Sequence, residues 1–233
     1  MNEQKFKIQA QELGILLTDK MLEQFEYYYK KLISYNEKVN LTSITERQDV
    51  FLKHFLDSIV VANLLKQNAT VCDIGSGAGF PSLPLKIVRP DLSITMVDSL
   101  NKRVIFLKEL IVELGLTNIE AVHSRAEDYI KEHREAYDYL VARAVAGLNT
   151  LSEYCIPFVK IGGSFLAYKS LNIIEELEEA QNAIKILGGV VKSVKEIKLP
   201  QTDIIRDIVI IEKQHATPKA YPRDKNNPKI KPL

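Results

Sequence analysis

Val71-Cys72-Asp73-Ile74-Gly75-Ser76-Gly77-Ala78-Gly79-Phe80-Pro81 decides the fold. Thr70–Ile74 is a short, mostly apolar run, and three of the chain's ten glycines follow within five residues. Glycine there permits a tight turn and lets backbone approach a ligand closely. In open α/β sheets, ligands bind beyond the carboxyl ends of the strands, near such a first turn. A phosphate-binding P-loop needs Gly-Lys followed by Ser or Thr, which is absent. The spacing is G-x-G-x-G, and Phe80 stands where a dinucleotide fingerprint has its third glycine. A ligand with a ribose but no phosphate fits this loop better than NAD or FAD. Asp98 closes the next strand, 19 positions beyond Gly79, where an acid can accept from ribose hydroxyls. Capping the following helix is the competing reading of Asp98.

Working outward, apolar strands and amphipathic helices alternate. Strands are expected over Ser93–Val97, Ile119–His123, Tyr137–Ala142, Ser164–Tyr168, Val190–Ile197 and Asp207–Ile211. Helices are expected over Asn101–Leu114 and from Ile173 to Leu187. This order implies an α/β fold, a doubly wound, mostly parallel seven-stranded sheet. The last two strands lack a helix between them, so they should form an antiparallel edge hairpin. Residues 1–66 read as a helical N-terminal extension to a ligand-binding domain over 67–213. Met21, Phe25, Tyr28, Leu32, Tyr35 and Val39 share one helix face. Thr18 is placed to cap that helix. A second apolar helix is expected from Val50 to Leu65, after a polar break at Asn40-Leu41-Thr42-Ser43. His54 and Asp57 are three apart and share its face.

The chain has 233 residues and net charge +1, with no apolar run long enough to span a bilayer. MNEQKFK has no apolar segment behind it, so no signal peptide is expected. Cys72 and Cys155 suit a reducing cytoplasm, and the four scattered histidines predict no metal site. Residues 213–233 carry six basic residues and one acid, so the rest of the chain is slightly acidic. This basic tail, 214–233, holds four prolines, predicting an extended or irregular segment. It suggests either a nucleic-acid contact or a solvated tail.

The glycine loop and Asp98 resemble a class I S-adenosylmethionine-dependent methyltransferase. Further segments narrow the resemblance: Asn40–Ser43, Lys53–Ser58, Gly79–Pro84, Val97–Ser99, Asn101–Arg103, Ser124–Glu127, Ala142–Ala144 and Tyr221–Arg223. In that succession the chain is similar to the glucose-inhibited division protein B family across its length. The resemblance implies methylation of a guanine at N7 in bacterial 16S ribosomal RNA, with S-adenosylmethionine as cofactor and no metal. It implies a cytoplasmic enzyme, and a monomer is expected. It assigns Gly75, Gly77, Phe80, Ala126, Glu127 and Arg143 to the cofactor, with Asp98 from the wider fold. It places Asn40, His54, Arg125, Arg143 and Lys169 around the target base. An ion pair is the competing reading of Glu127 and Arg143. The rival function is a class I methyltransferase acting on a small molecule or a protein. Guanine N7 carries a lone pair and loses no proton, so the absence of an evident general base is consistent with it. Arg125 and Lys169 are then expected to hold phosphate or the guanine O6 edge.

Overall fold

The computed structural model describes residues 3–143, 146–170, 173–224 and 227–233. Seven strands form one sheet: β1 (Thr70–Ile74), β2 (Ser93–Asp98), β3 (Ile119–His123), β4 (Tyr137–Ala142), β5 (Val159–Lys169), β6 (Gly189–Lys198) and β7 (Ile205–Lys213). Their spatial order is β3-β2-β1-β4-β5-β7-β6. β1 to β5 are parallel; β7 runs antiparallel to both β5 and β6. The expected hairpin is present, with β7 inward and β6 at the edge. Strand order reverses between β1 and β4, which opens a crevice at their carboxyl ends. β5 starts earlier than expected and runs through Gly162-Gly163, where a register shift opposite Tyr137–Tyr139 absorbs the irregularity.

The N-terminal helices brace this crevice. Thr18 caps Asp19–Asn36, its Oγ1 accepting from the Met21 amide at 3.3 Å. Phe25, Tyr28 and Leu32 of that helix are buried as expected. Phe6 lies edge-on to Phe25 and Phe51 at 5.1 and 5.2 Å, and Tyr28 stacks on Phe80 at 5.4 Å. Each such pair contributes about 0.5–1.5 kcal/mol beyond its buried area. Phe6, Phe25, Phe55, Leu83, Leu107 and Val141 belong to one continuous core, so the N-terminal helices pack into one face of the sheet. Gly79 sits in this contact at φ +99, and a Cβ there would lie 2.5 Å from Leu83 Cδ1 and 2.9 Å from the Tyr28 hydroxyl. Gly79 thus provides the close helix–strand packing that a dinucleotide fingerprint assigns one residue later.

Three local expectations need correction. The first expected helix is Asp19–Asn36, which stops short of the Asn40 break, and a separate helix, Glu3–Glu12, precedes it. The Asn36 carboxamide organises the break, its Oδ1 accepting from the Leu41 and Thr42 amides and its Nδ2 donating to the Thr42 carbonyl. The second apolar helix ends at Ile59, with a separate 3-10 turn at Ala62–Leu64 and a π-helical turn at Val50–Leu56. The C-terminal tail contains a helical turn, Asn227–Ile230, and it packs against the body. Proline does not prevent this, because Pro228 occupies a first-turn position where no amide donor is needed.

Candidate active site

Two cavities meet at the carboxyl edge of the sheet. The smaller, about 190 Å³, lies beyond β1, β2 and β3 and is walled by Ile74, Val97, Ala126, Glu127, Leu151 and Tyr154, among others. The larger is an open cleft of about 1300 Å³ between the glycine loop, the π-helical turn and the end of β5. Gly75, Ala146 and Lys229 line both.

The cleft is built on one network. Asp57 is fully buried and bridges two guanidiniums, with Oδ2 2.8 Å from Arg143 Nη1 and Oδ1 2.6 Å from Arg206 Nε. Arg143, at the end of β4, also donates to the Lys53 carbonyl at 3.0 Å and to His54 Nδ1 at 3.1 Å. The π-helical turn exposes these acceptors toward β4, and such turns are frequent at functional sites. A guanidinium can only donate, so His54 Nδ1 is unprotonated and Nε2 carries the hydrogen toward Thr42 Oγ1 at 2.8 Å. His54 stacks on Phe80 at 4.4 Å, and Arg143 lies over the same ring at 5.0 Å.

Burial and the Arg143 charge lower the His54 pKa to about 3. Burial raises Asp73, at the end of β1, to about 7, and nearby Asp98 adds to the rise while Ser82 and Arg143 oppose it. These shifts act on stability with opposite signs. Folded His54 stays neutral where an unfolded histidine gains a proton below its ordinary 6.5, so its contribution grows with pH between about 3 and 6.5. Folded Asp73 keeps its proton up to about 7 where an unfolded one loses it above 3.8, so its contribution is lost as pH rises through that range. The two slopes offset each other near pH 5. In the cofactor-free protein, the stability of Asp73→Asn minus that of wild type should climb by about 1.4 kcal/mol per pH unit between about pH 4.5 and 6.5. Urea unfolding across that range would measure it, and parallel curves would show Asp73 to be ionised instead.

Asp98 is 3% exposed, and both its carboxylate oxygens accept from backbone amides. Oδ2 accepts from the Gly77 amide and Oδ1 from the Leu100 amide, each at 2.8 Å, joining the glycine loop to the start of Asn101–Glu113. An ionised carboxylate still has lone pairs left for a ribose.

Of the assigned residues, all but Asn40 and Asp98 line one or both cavities. Ala126, Glu127 and Arg125 line the smaller one; Gly77, Phe80, His54, Arg143 and Lys169 line the cleft; Gly75 lines both. Arg125 is therefore placed with Ala126 and Glu127, apart from the cleft. Asn40 is exposed and lines neither cavity, while its neighbours Leu41 and Thr42 face the cleft. Glu127 and Arg143 are not partners: Glu127 is 3.6 Å from Arg125, and Arg143 pairs with Asp57. Lys169 is 5% exposed, with Nζ 2.5 Å from Glu176 and 2.8 Å from the Ala146 carbonyl, so it ties β5 to the Ala146 loop. Ala144 lies outside the described residues. Arg206, Asn36 and Thr42 escaped the sequence reading. Thr42 lay within a quoted motif, whereas Arg206 had no local signal.

Six cationic side chains and two carboxylates line the cleft, in a chain whose net charge is +1. The positive field is thus concentrated at the site. The tail contributes less than its composition suggested. Lys213 is buried against the Ile156 carbonyl and Thr217, its pKa lowered to about 8 by burial, and Arg223 is paired with Glu153. Lys225 lies outside the described residues.

The strand order, the glycine loop at the reversal and the acid closing β2 define a class I methyltransferase fold. TYW2 of M. jannaschii, solved in complex with AdoMet, shares it with a TM-score of 0.54 at 16% identity, covering 67% of this chain and 74% of that one. The family model described as rRNA small subunit methyltransferase G matches residues 21–205. Ribosomal RNA small subunit methyltransferase G of Lactobacillus johnsonii is 50% identical over the full length of both chains. That of Alkaliphilus metalliredigens is 51% identical over 96% of this chain and 95% of its own. The chain belongs to the rRNA small subunit methyltransferase G family.

Proposed function

We propose that this chain transfers a methyl group from S-adenosylmethionine to N7 of a guanine in 16S ribosomal RNA of the small subunit. The observation that carries this reading is the junction of a small, largely apolar cavity with a wide cation-lined cleft at the glycine loop. The cavity suits an adenosine and the cleft suits a nucleotide.

The residues present fit the cofactor. Among the described residues, Ser76 Oγ and Asp73 Oδ2 are buried beside the loop without hydrogen-bond partners, and a Cβ on Gly75 would meet nothing within 4 Å. Gly75, Gly77, Phe80, Asp98, Ala126 and Glu127 would hold it, Asp98 at the ribose and Ala126 with Glu127 at the adenine. Bound there, S-adenosylmethionine supplies a sulfonium methyl, and the N7 lone pair takes it in line while the carbon–sulfur bond breaks.

The chain's own residues position and polarise. Arg143 is held from four sides, by Asp57, His54 and the Lys53 and His54 carbonyls, so its donors are fixed in advance. A fixed guanidinium suits the guanine O6 edge, and such preorganisation contributes to rate without reorganisation during transfer. His54 is a poor base, since its one ring lone pair, at Nδ1, accepts from Arg143 and burial lowers its pKa to about 3. That favours an acceptor that needs no deprotonation, which N7 is and an exocyclic amine or hydroxyl is not. The remaining cleft cations suit RNA phosphates, which position the nucleotide without specifying its sequence. The base must leave its stack to enter the cleft. Among the described residues no helix is long and apolar enough to cross a membrane. The reading takes the protein as a cytoplasmic monomer acting on the small subunit.

Small subunits from a strain lacking this gene should accept labelled methyl from S-adenosylmethionine at a single guanine of 16S RNA. Cleavage specific for 7-methylguanosine would map it. Labelling at another base or atom, or of ribosomal protein only, would overturn the reading.

A further inference from the structure

The C-terminal segment is a docked strap, held on the helix Leu148–Cys155 that follows β4. Glu153 of that helix, its side chain 1% exposed, receives Arg223 in a two-pronged pair, with Nε–Oε1 at 2.9 Å and Nη2–Oε2 at 2.6 Å. The Arg223 amide donates to the same carboxylate at 2.8 Å. Thr150, one turn earlier, donates to the Pro228 carbonyl at 3.0 Å, and Arg134 donates to the Tyr221 carbonyl at 2.5 Å. These contacts fix the turn Asn227–Ile230, and that turn sets Lys229 where the two cavities join.

Lys229 differs from the other cations of the cleft. Lys53 pairs with Asp49, Arg103 with Asp98, Arg143 and Arg206 with Asp57, and Lys169 with Glu176. Lys229 is exposed and makes no ion pair or hydrogen bond with the described residues. An ammonium at the mouth of a site, held there by a buried latch and left without a counter-charge, has its charge available for a ligand anion. We propose that Lys229 binds a backbone phosphate of the RNA at the nucleotide entering the cleft, and that the Glu153–Arg223 pair is the positioning device that presents it. This rests on the reading of the chain as an RNA methyltransferase.

The test compares wild type, Lys229→Ala, Lys229→Arg and Arg223→Ala. KM for small subunits is measured at several salt concentrations, together with the Kd for S-adenosylhomocysteine. Losing one phosphate contact should raise KM on the order of threefold at low salt and lower the salt slope by about 0.7–0.9. Lys229→Arg should restore both, since either cation serves a phosphate. Arg223→Ala should reproduce the loss and open the strap to trypsin at Lys219. The Kd for S-adenosylhomocysteine should stay put in Lys229→Ala. An unchanged KM and salt slope in Lys229→Ala would sink the proposal while leaving rRNA methylation intact. A weakened Kd with unchanged RNA dependence would assign the lysine to the cofactor's carboxylate, overturning the proposal. Absence of transfer by wild type would overturn the function first and this inference with it. Lys229 is exposed and makes no contact that the fold needs, so its variants remain informative even if Arg223→Ala does not fold.

Discussion

Asp57→Ala is expected to lower stability by about 3–5 kcal/mol, the range for removing one partner of a buried charge network. The side chain is 1% exposed and holds Arg143 and Arg206, themselves only 15% and 18% exposed. Without it two guanidiniums face each other with no other carboxylate bonded to either among the described residues. Asp57→Asn should lose less, because its amide oxygen still accepts from one arginine. Urea unfolding at neutral pH measures the difference, and methyl transfer should fall in both variants as Arg143 loses its orientation. A loss below about 1 kcal/mol in Asp57→Ala would mean that water replaces the carboxylate and that the network is not a structural centre.

Asp98→Ala should weaken S-adenosylhomocysteine binding by about 1–3 kcal/mol, roughly 5- to 150-fold in Kd. Two effects combine there. The Gly77 amide loses its acceptor, so the loop loses its shape, and on the proposed function the ribose loses its acid. A cycle with the 2′-deoxy analogue separates them, since only the ribose contribution couples to the missing hydroxyl. Unchanged affinity in a folded Asp98→Ala protein would remove Asp98 from the site altogether.

The strands were legible because their signals are local. Thr70–Ile74, Ile119–His123 and Tyr137–Ala142 are apolar runs closed by turn residues, and each is found at its expected limits. The glycine loop was legible because its backbone requirements are written in consecutive residues. The ends of the first two helices were not. The helix expected to run on to the Asn40 break stops at Asn36, whose carboxamide satisfies two loop amides and a carbonyl at once. Arg125 lies two residues beyond β3 and Arg143 directly after β4, and the family resemblance put them in one site. The sheet separates them, because β3 lies at one edge and β4 beyond the strand-order reversal.

From sequence alone came the class of fold, the glycine loop after the first strand, the acid closing β2 and the family. All of these rest on residues near one another in the chain or on a succession of short motifs. Tertiary structure decided which charges are spent and which remain. Asp57 meets Arg143 86 residues away and Arg206 149 residues away. Glu153 takes Arg223 from a tail that composition left open between a nucleic-acid contact and a solvated segment, and Lys229 has no counter-charge among the described residues. A pairing of this kind depends on desolvation and on distances of a few ångströms between remote segments, and neither quantity is encoded in local spacing.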